Sequence, residues 1–176
     1  MQPAAGMLLV ASANLTEPSF MRAVVYLLEH DEDGTLGFII NRPLDIPLSE
    51  LWSECPPGLI TARIAAEGGP VEPNKGLLLH TCLDLPGVQA MGLGLAVGGD
   101  LDALAKRYLE GGDDSGPRLF LGHSGWAPGQ LQAEIEEGAW IVRPGKPELV
   151  VNHKPSPMMW QHLLEGHGGL PEPSLN

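Results

Sequence analysis

Residues 118–142, RLFLGHSGWAPGQLQAEIEEGAWIV, carry the pattern on which we base the predicted fold. The run at 118–121 is apolar enough for a buried strand. Glycines punctuate the residues that follow it, 122–126, and glycine tolerates backbone conformations that other residues avoid. We therefore expect the strand to end at 121 and the chain to turn tightly over 122–126.

A short helix is predicted next, at residues 130–137. Pro128 precedes it, and proline suits the first turn of a helix because the N–H that it lacks would have no partner there. An isoleucine follows Leu131 by four residues, so both lie on one apolar face. Gly138 is a natural end for the helix. The apolar run 139–142 then predicts a second strand.

Outward from this stretch, short strands and helices alternate along the chain. The strands are predicted at residues 7–11, 23–28, 35–40, 63–66, 77–80 and 89–97, with a further extended piece at 148–151. The helices are predicted at residues 47–52, 101–110 and 157–165. Asp100 suits the N-cap of the second helix, because its carboxylate can accept the free N–H groups of the first turn.

The arrangement of these elements predicts the fold class. An acidic turn at 30–34 joins the second and third strands into a hairpin. Strands outnumber helices and are mostly consecutive early in the chain. The predicted class is therefore α+β, or mixed α/β, in a single domain spanning residues 1–176, with a loose tail from about residue 166.

Size and charge restrict the possible functions. The chain has 176 residues, of which 43% are hydrophobic and 18% charged, as expected for one globular domain. The formal net charge is −12, and the ten lysine and arginine residues are scattered. Nucleic-acid affinity depends largely on contacts between basic side chains and phosphates. We therefore expect neither direct nucleic-acid binding nor binding to anionic membranes.

Cysteine content and the N-terminus indicate the compartment. Cys55 and Cys82 are the only cysteines, and reduced thiols are the norm in cytosolic proteins. The apolar run at 7–10 is too short for a signal core, and no basic residue precedes it. No run approaches the length of a membrane span. We expect a cytoplasmic protein.

Several segments taken together resemble the YqgE/AlgH family of bacterial proteins. The matching residues are Phe20, the run 23–27, Glu29-His30, Gly34, Gly37, Asn41-Arg42-Pro43, Gly68-Gly69-Pro70-Val71, His80, Gly125-Trp126, Gly129-Gln130-Leu131, Glu134 and Trp140. The resemblance extends from about residue 6 to about residue 160. His123 stands where the family would be expected to have an aromatic residue such as tyrosine, and Pro18-Ser19 where an acidic residue often precedes the phenylalanine.

The resemblance implies a fold and a broad role but no reaction. The expected fold is a single domain whose bent, bifurcated sheet forms a pseudo-barrel, with helices packed outside. The family name reflects a proposed link to the regulation of alginate production. By this resemblance, the chain is expected to be a regulator that acts on transcription indirectly.

Three motifs suggest chemistry but depart from the required patterns. Residues 122–126 lack the fifth-position glycine of a nucleophile elbow, which disfavours a serine hydrolase at Ser124. The glycines at 92–98 are spaced one residue too far apart for a dinucleotide fingerprint. Gly68 and Gly69 could present N–H groups to an anion, but Pro70 removes a donor, and a structural turn is favoured.

The six histidines invite a metal interpretation, which their spacing does not support. The sequence contains neither an H-E-x-x-H nor a C-x-x-C motif. His162 and His167 are five residues apart and would point in different directions on a helix. Histidines that bind backbone at strand ends are the simpler interpretation. We expect no metal and no cofactor.

Gln130 and Glu134 are the pair most suggestive of a site. They lie one helical turn apart beside the predicted apolar face, and a partly buried carboxylate needs partners. His30, Asn41 and Arg42 are the expected polar partners. A structural network that docks the helix on the sheet has the same appearance as an active site and is the favoured interpretation.

We therefore predict a binding site and two alternative functions. The predicted site residues are His30, Asn41, Arg42, Gly68, Gly69, Trp126, Gln130 and Glu134. The favoured function is a non-catalytic binding or regulatory module that engages a protein partner or a small ligand. The alternative is a small-molecule enzyme with a polar site around His30, Arg42 and Glu134. No catalytic residue is assigned.

Overall fold

The computed structural model describes residues 1–111 and 116–166. Within them the strands are β1 (Leu8–Ala11), β2 (Val24–Asp31), β3 (Gly34–Ile39), β4 (Pro43–Leu44), β5 (Ala65–Glu67), β6 (Val71–His80), β7 (Val88–Gly92), β8 (Leu95–Gly98), β9 (Arg118–Trp126) and β10 (Trp140–Arg143). The α-helices are α1 (Leu48–Leu51), α2 (Leu101–Leu109), α3 (Gln130–Glu136), α4 (Pro147–Val151) and α5 (Met159–Leu164). A 3-10 turn lies at Pro57–Leu59.

The strands form one ten-stranded sheet with the order β10-β1-β2-β3-β9-β6-β8-β7, and β4 and β5 branch from β9. All pairs are antiparallel except β5 with β9. In the part of the chain that the structure describes, β10 and β7 do not pair, so the sheet is forked and open rather than closed. The predicted α+β class and single domain are confirmed.

The fork is at β9, which changes partners along its length. Its first part pairs with β5 and β6 through Leu119–Leu121, and its last part pairs with β3 through Ser124–Trp126. Gly122 lies between them with a φ of +73°, and a Cβ atom there would collide with the carbonyl oxygen of Gly69. The predicted turn at 122–126 is therefore wrong. Gly122 permits a close backbone approach within a continuous strand.

Two other predicted elements are also wrong. The predicted strand at 89–97 is the hairpin β7–β8, because Gly92, Leu93 and Gly94 all have positive φ and reverse the chain. The predicted extended piece at 148–151 is the helix α4. Pro147 opens this helix, and its valines are buried in the core, where packing overrides their preference for strands.

The strand predicted at 77–80 begins six residues earlier, because β6 runs from Val71 to His80, and β4 was not predicted. The other elements agree with the predictions to within about three residues. The β2–β3 hairpin is present, although its strands extend into the predicted turn and leave only residues 32–33 between them. Asp100 caps α2 by accepting the N–H groups of the second and third residues of the helix. Gly138, at φ +82°, follows the C-cap of α3. The predicted loose tail beyond Gly166 lies outside the described residues.

Both faces of the first strands are buried, which explains their uninterrupted apolar runs. Leu8 and Val10 of β1 pack in one core cluster with α4 and α5, whereas Leu9 and Ala11 pack in another beside α3. Successive side chains of a strand point to opposite faces. Cys55 and Cys82 are free thiols, as predicted. No helix among the described residues is long and apolar enough to cross a membrane.

Candidate functional site

Glu134 on α3 ties together two tryptophans and the start of its own helix. Its Oε1 accepts the indole N–H of Trp126 at 3.1 Å and that of Trp140 at 2.9 Å. Its Oε2 accepts the side-chain amide of Gln130 at 2.8 Å. Phe20 packs against both indoles, with ring centroids 5.9 and 5.5 Å away. This arrangement docks α3 on the sheet, as the structural interpretation requires.

Asn41 and Arg42 bind the loop before β2 and do not bind Glu134. Asn41 accepts the N–H of Val24 at 2.9 Å and donates to the carbonyl of Arg22 at 2.9 Å. Arg42 donates to the carbonyls of Ser19 and Met21 at 2.6 and 3.0 Å. It also forms an ion pair with Glu67 at 3.2 Å. The expectation that these residues would partner Glu134 is wrong.

His30 likewise has its own local partner, because its Nδ1 lies 2.7 Å from the hydroxyl of Thr35 across the hairpin. Among the described contacts, no hydrogen bond or ion pair joins any two of His30, Arg42 and Glu134. The polar site suggested around these three residues is therefore not assembled by direct contacts.

Gly68 and Gly69 pack against β9 at the point where it changes partners. The N–H of Gly68 donates to the carbonyl of Leu121 at 2.8 Å, so an anion cannot use that donor. Its carbonyl accepts the hydroxyl of Ser124, which is fully buried, at 3.1 Å. A Cβ atom on Gly69 would collide with the carbonyl of His123. These contacts are those of tightly packed backbone, not of an anion nest or a nucleophilic serine.

A cleft opens on the other side of the fork, and its first half is apolar. This cavity has a volume of about 210 Å³. The aromatic rings of Phe38 and Phe120, 5.1 Å apart at their centroids, lie at its base. Leu28, Leu36 and Leu77 line it as half-buried side chains that retain accessible surface. Glu29, Lys75 and His123 also contribute to its lining.

The second half of the cleft is acidic. This cavity of about 330 Å³ is lined by the exposed residues Glu29, Asp31 and Asp33, together with residues 34–36 and Trp126. It shares the lining residues Glu29, Leu36 and His123 with the apolar cavity, so the two cavities adjoin. We call this pair of adjoining cavities the fork cleft. Of the eight predicted site residues, only Trp126 lines it.

The fork cleft exists because β6 and β3 diverge on either side of β9. β6 pairs with β9 at Val71 opposite His123 and then again from Gly76 opposite Leu121, so the residues between them bulge outwards. β3 contacts β9 only beyond this point, from Ser124 onwards. Glu72 adopts a φ of +48° within the bulge. The divergence leaves the half-buried leucines without a covering element.

The charges around the fork cleft are unbalanced. None of Glu29, Asp31 and Asp33 belongs to an ion pair among the described residues. Lys75, the one lysine lining the apolar half, is bound to Glu72 at 3.3 Å. No group of three or more histidine, cysteine, aspartate or glutamate residues in the described ranges is arranged to hold a metal ion.

Arg118, at the start of β9, is a buried cation outside the fork cleft. Its side chain is fully inaccessible and donates to the carbonyls of Ile40 at 2.8 Å and Val150 at 3.1 Å. Among the residues that the structure describes, none is a hydrogen-bond partner of Nε or Nη2, and the guanidinium lies 5.0 Å from the ring centroid of Phe120. Desolvation lowers the pKa of Arg118 to about 10.

The fork cleft was missed because its residues come from strand positions that sequence patterns assign to the core or to a turn. Leu28, Leu36 and Leu77 look like ordinary strand residues. His123 falls in what glycine content predicted to be a tight turn. The only unusual feature of His123 in the sequence is that it replaces the aromatic residue expected from the family resemblance, and this replacement does not indicate a cleft.

These features define a class: a single-domain α+β protein with a forked sheet and a surface cleft at the fork. The chain belongs to the AlgH-like family, whose sequence model matches residues 8–172. It is 37% identical over 166 residues to a UPF0301 protein of Myxococcus xanthus, covering 92% of this chain and 89% of that protein. It is 39% identical over 171 residues to a UPF0301 protein of Chlorobium luteolum, covering 94% and 87%.

Two solved structures are similar to this fold. A crystal structure of a protein from Corynebacterium diphtheriae has a TM-score of 0.66 and 29% identity, covering 86% of this chain and 81% of that one. The solution structure of AlgH from Pseudomonas aeruginosa has a TM-score of 0.65 and 27% identity, covering 97% and 100%. The family resemblance predicted from the sequence is confirmed.

Proposed function

We propose that this protein is a non-catalytic binding module of the cytoplasm, which engages a protein partner through the fork cleft. The observation that supports the proposal is that the apolar and the acidic cavity adjoin, with Glu29, Leu36 and His123 in the lining of both. Half-buried leucines that line an accessible depression are typical of binding sites, because burying them on association is favourable. The cleft combines this apolar surface with charge that can orient a partner.

The contacts favour binding over catalysis. The buried Ser124 is bonded to a backbone carbonyl, and Glu134 is occupied by two indole N–H groups. An enzyme built on His30, Arg42 and Glu134 would need these groups within hydrogen-bond reach of one substrate. Each instead binds a different part of the fold.

The charge of the protein favours a protein partner over nucleic acid. The formal net charge is −12, and the fork cleft adds carboxylates without a paired cation of its own. Phosphate backbones are repelled by such a surface. We therefore propose that any effect on transcription is indirect and passes through the partner.

Affinity capture with matched variants tests the proposal. Leu36→Glu places a charge in the apolar half of the cleft, whereas Leu83→Glu places the same charge at an exposed leucine outside it. We expect a partner enriched from a lysate of the source organism by the wild type and by Leu83→Glu. Leu36→Glu should lose at least ten-fold of that enrichment while keeping the wild-type circular dichroism spectrum.

If both folded variants captured the partner equally, the fork cleft would be excluded as the binding surface.

A thermal-shift screen against nucleotides, phosphates, metals and metabolites addresses the small-molecule alternative. A saturating ligand at a hundred times its dissociation constant stabilises a fold by about 2.7 kcal/mol. A hit that Arg42→Ala or Glu134→Ala abolishes, with each variant folded, would support the small-molecule site instead.

A further inference from the structure

The apolar half of the fork cleft has the size of a site for one side chain. Its volume of about 210 Å³ is below the range of roughly 300–1,000 Å³ that is typical of sites for drug-sized ligands. Its leucine walls and aromatic base offer contacts to an aliphatic group. Complete burial of one leucine-sized side chain is favourable, because its apolar surface is removed from water. An aliphatic side chain therefore fits this half of the cleft.

The acidic half of the cleft favours a positively charged group of the partner next to that aliphatic side chain. Glu29, Asp31 and Asp33 are exposed, and no cation of the described chain is paired with them. The carboxylate of Asp31 accepts the N–H of Asp33 at 2.8 Å, which leaves further oxygen lone pairs for a ligand. A guanidinium or ammonium group complements this half, and guanidinium can bind carboxylates through two hydrogen bonds.

We infer that the occupant of the fork cleft is an extended segment of a partner protein in which an aliphatic side chain lies two residues from an arginine or lysine. The inference rests on the proposed function, because it takes the cleft as the binding surface. In an extended chain, residues two apart project from the same side at a spacing of roughly 7 Å. Two such side chains can enter adjoining cavities together.

Charge excludes the main competing occupants. A second copy of this chain also carries a net charge of −12, and like-charged surfaces repel each other. Nucleotides and other phosphorylated ligands would bring negative charge towards three carboxylates. A basic segment gains from both features of the cleft, and the acidic surface also speeds its encounter at low salt.

Titration of the ¹⁵N-labelled full chain, followed by NMR, tests this partner chemistry. The probe is acetyl-Gly-Leu-Gly-Arg-Gly-amide, and two controls replace its arginine by glutamate or its leucine by glycine. We expect the probe to shift the amide resonances of Leu36, His123 and Gly125. Each control peptide should bind at least five-fold more weakly.

Protein variants provide the reciprocal test. The double variant Asp31→Asn, Asp33→Asn removes two charges from the cleft and can keep the turn hydrogen bond, since asparagine also has a side-chain carbonyl. We expect it to weaken binding of the probe at least five-fold. The matched control, Asp102→Asn with Glu110→Gln on exposed positions of α2 and its C-cap, should leave binding unchanged.

The outcomes separate this inference from the proposed function. Equal binding of the arginine and glutamate peptides, or no response of the cleft resonances to any peptide, would overturn the basic-segment inference. The proposed function would still stand if Leu36→Glu abolished partner capture. If Leu36→Glu and Leu83→Glu captured the partner equally, the proposed function itself would fail, and this inference with it.

Discussion

Removing the carboxylate of Glu134, a half-buried residue of α3, should destabilise the fold strongly. Glu134→Ala leaves the indole N–H groups of Trp126 and Trp140 without their acceptor, at bond lengths of 3.1 and 2.9 Å in the native fold. Hydrogen bonds to charged groups contribute roughly 1.5–3 kcal/mol each. We take about 1.5 kcal/mol for each indole bond, because Glu134 is only half-buried.

The third bond, from Gln130, is exposed and adds little. Side-chain pairs four residues apart on a helix contribute about 0.3 kcal/mol, so the expected total loss is about 3 kcal/mol. For a domain of this size, 1 kcal/mol lowers the melting temperature by roughly 2–4 °C. Glu134→Ala should therefore melt about 6–12 °C below the wild type.

Two further variants sharpen the measurement. Glu134→Gln keeps an oxygen for both indoles but turns an amide donor towards the amide donor of Gln130, so we expect a loss of about 1 kcal/mol. Glu136→Ala, on the same helix, removes only an exposed bond of 3.3 Å to Gln132 and should cost less than about 0.5 kcal/mol.

Urea unfolding followed by far-ultraviolet circular dichroism measures all three losses without relying on the tryptophans. If Glu134→Ala were no more destabilising than Glu136→Ala, the two indole bonds would not hold α3 on the sheet. The favoured structural interpretation of the Gln130–Glu134 pair would then be refuted.

Three other predictions follow from buried or capping polar groups. Arg118→Met removes a desolvated charge and keeps an apolar side chain in the core, whereas Arg118→Ala also opens a cavity. In urea unfolding, the free energy of unfolding of Arg118→Met should therefore be about 2–3 kcal/mol higher than that of Arg118→Ala. Equal stability of the two variants would contradict this. Burial lowers the pKa of His80 below its ordinary value of 6.5, and its Nδ1 accepts the N–H of Cys82 at 3.1 Å. Protonation therefore favours the unfolded chain, so stability should fall as the pH drops below about 6.5, and His80→Leu should flatten this part of the pH dependence although it lowers stability overall. Asp100→Ala should cost about 1 kcal/mol by removing the N-cap of α2, whereas Asp100→Asn should cost less than half of that in the same unfolding assay.

Local signals predicted the elements whose own residues determine them. The β2–β3 hairpin, the capped helix α2 and the end of α3 at Gly138 depend on periodicity, an N-cap carboxylate and a glycine with positive φ. These are short-range effects and can be read along the chain. The predicted family also follows from such local motifs in combination.

Contacts between distant segments could not be predicted in the same way. The glycines around Gly122 predict a turn, and only the approach of Gly69 shows why a glycine is needed inside β9. The partners of Glu134 were predicted as Arg42, Asn41 and His30. Besides Gln130, the actual donors are Trp126 and Trp140, whose indole N–H groups are polar parts of residues assigned to the core.

The fork cleft illustrates the same limit. Its leucines come from β2, β3 and β6, and each has the pattern of an ordinary strand residue. Whether such a side chain is covered depends on how far β6 diverges from β9, and no local sequence feature reports that distance. The binding role of the other predicted site residues stays a prediction.

The pairing of β1 with β10 bears on the order in which the chain can fold during synthesis. Leu8 pairs with Arg143 and Ala11 with Trp140, so β1 leaves the ribosome about 130 residues before its partner β10. At roughly 5–20 residues per second, this interval lasts on the order of ten seconds. Throughout it, β1 exposes an unpaired edge of the kind that chaperones shield and that otherwise promotes aggregation.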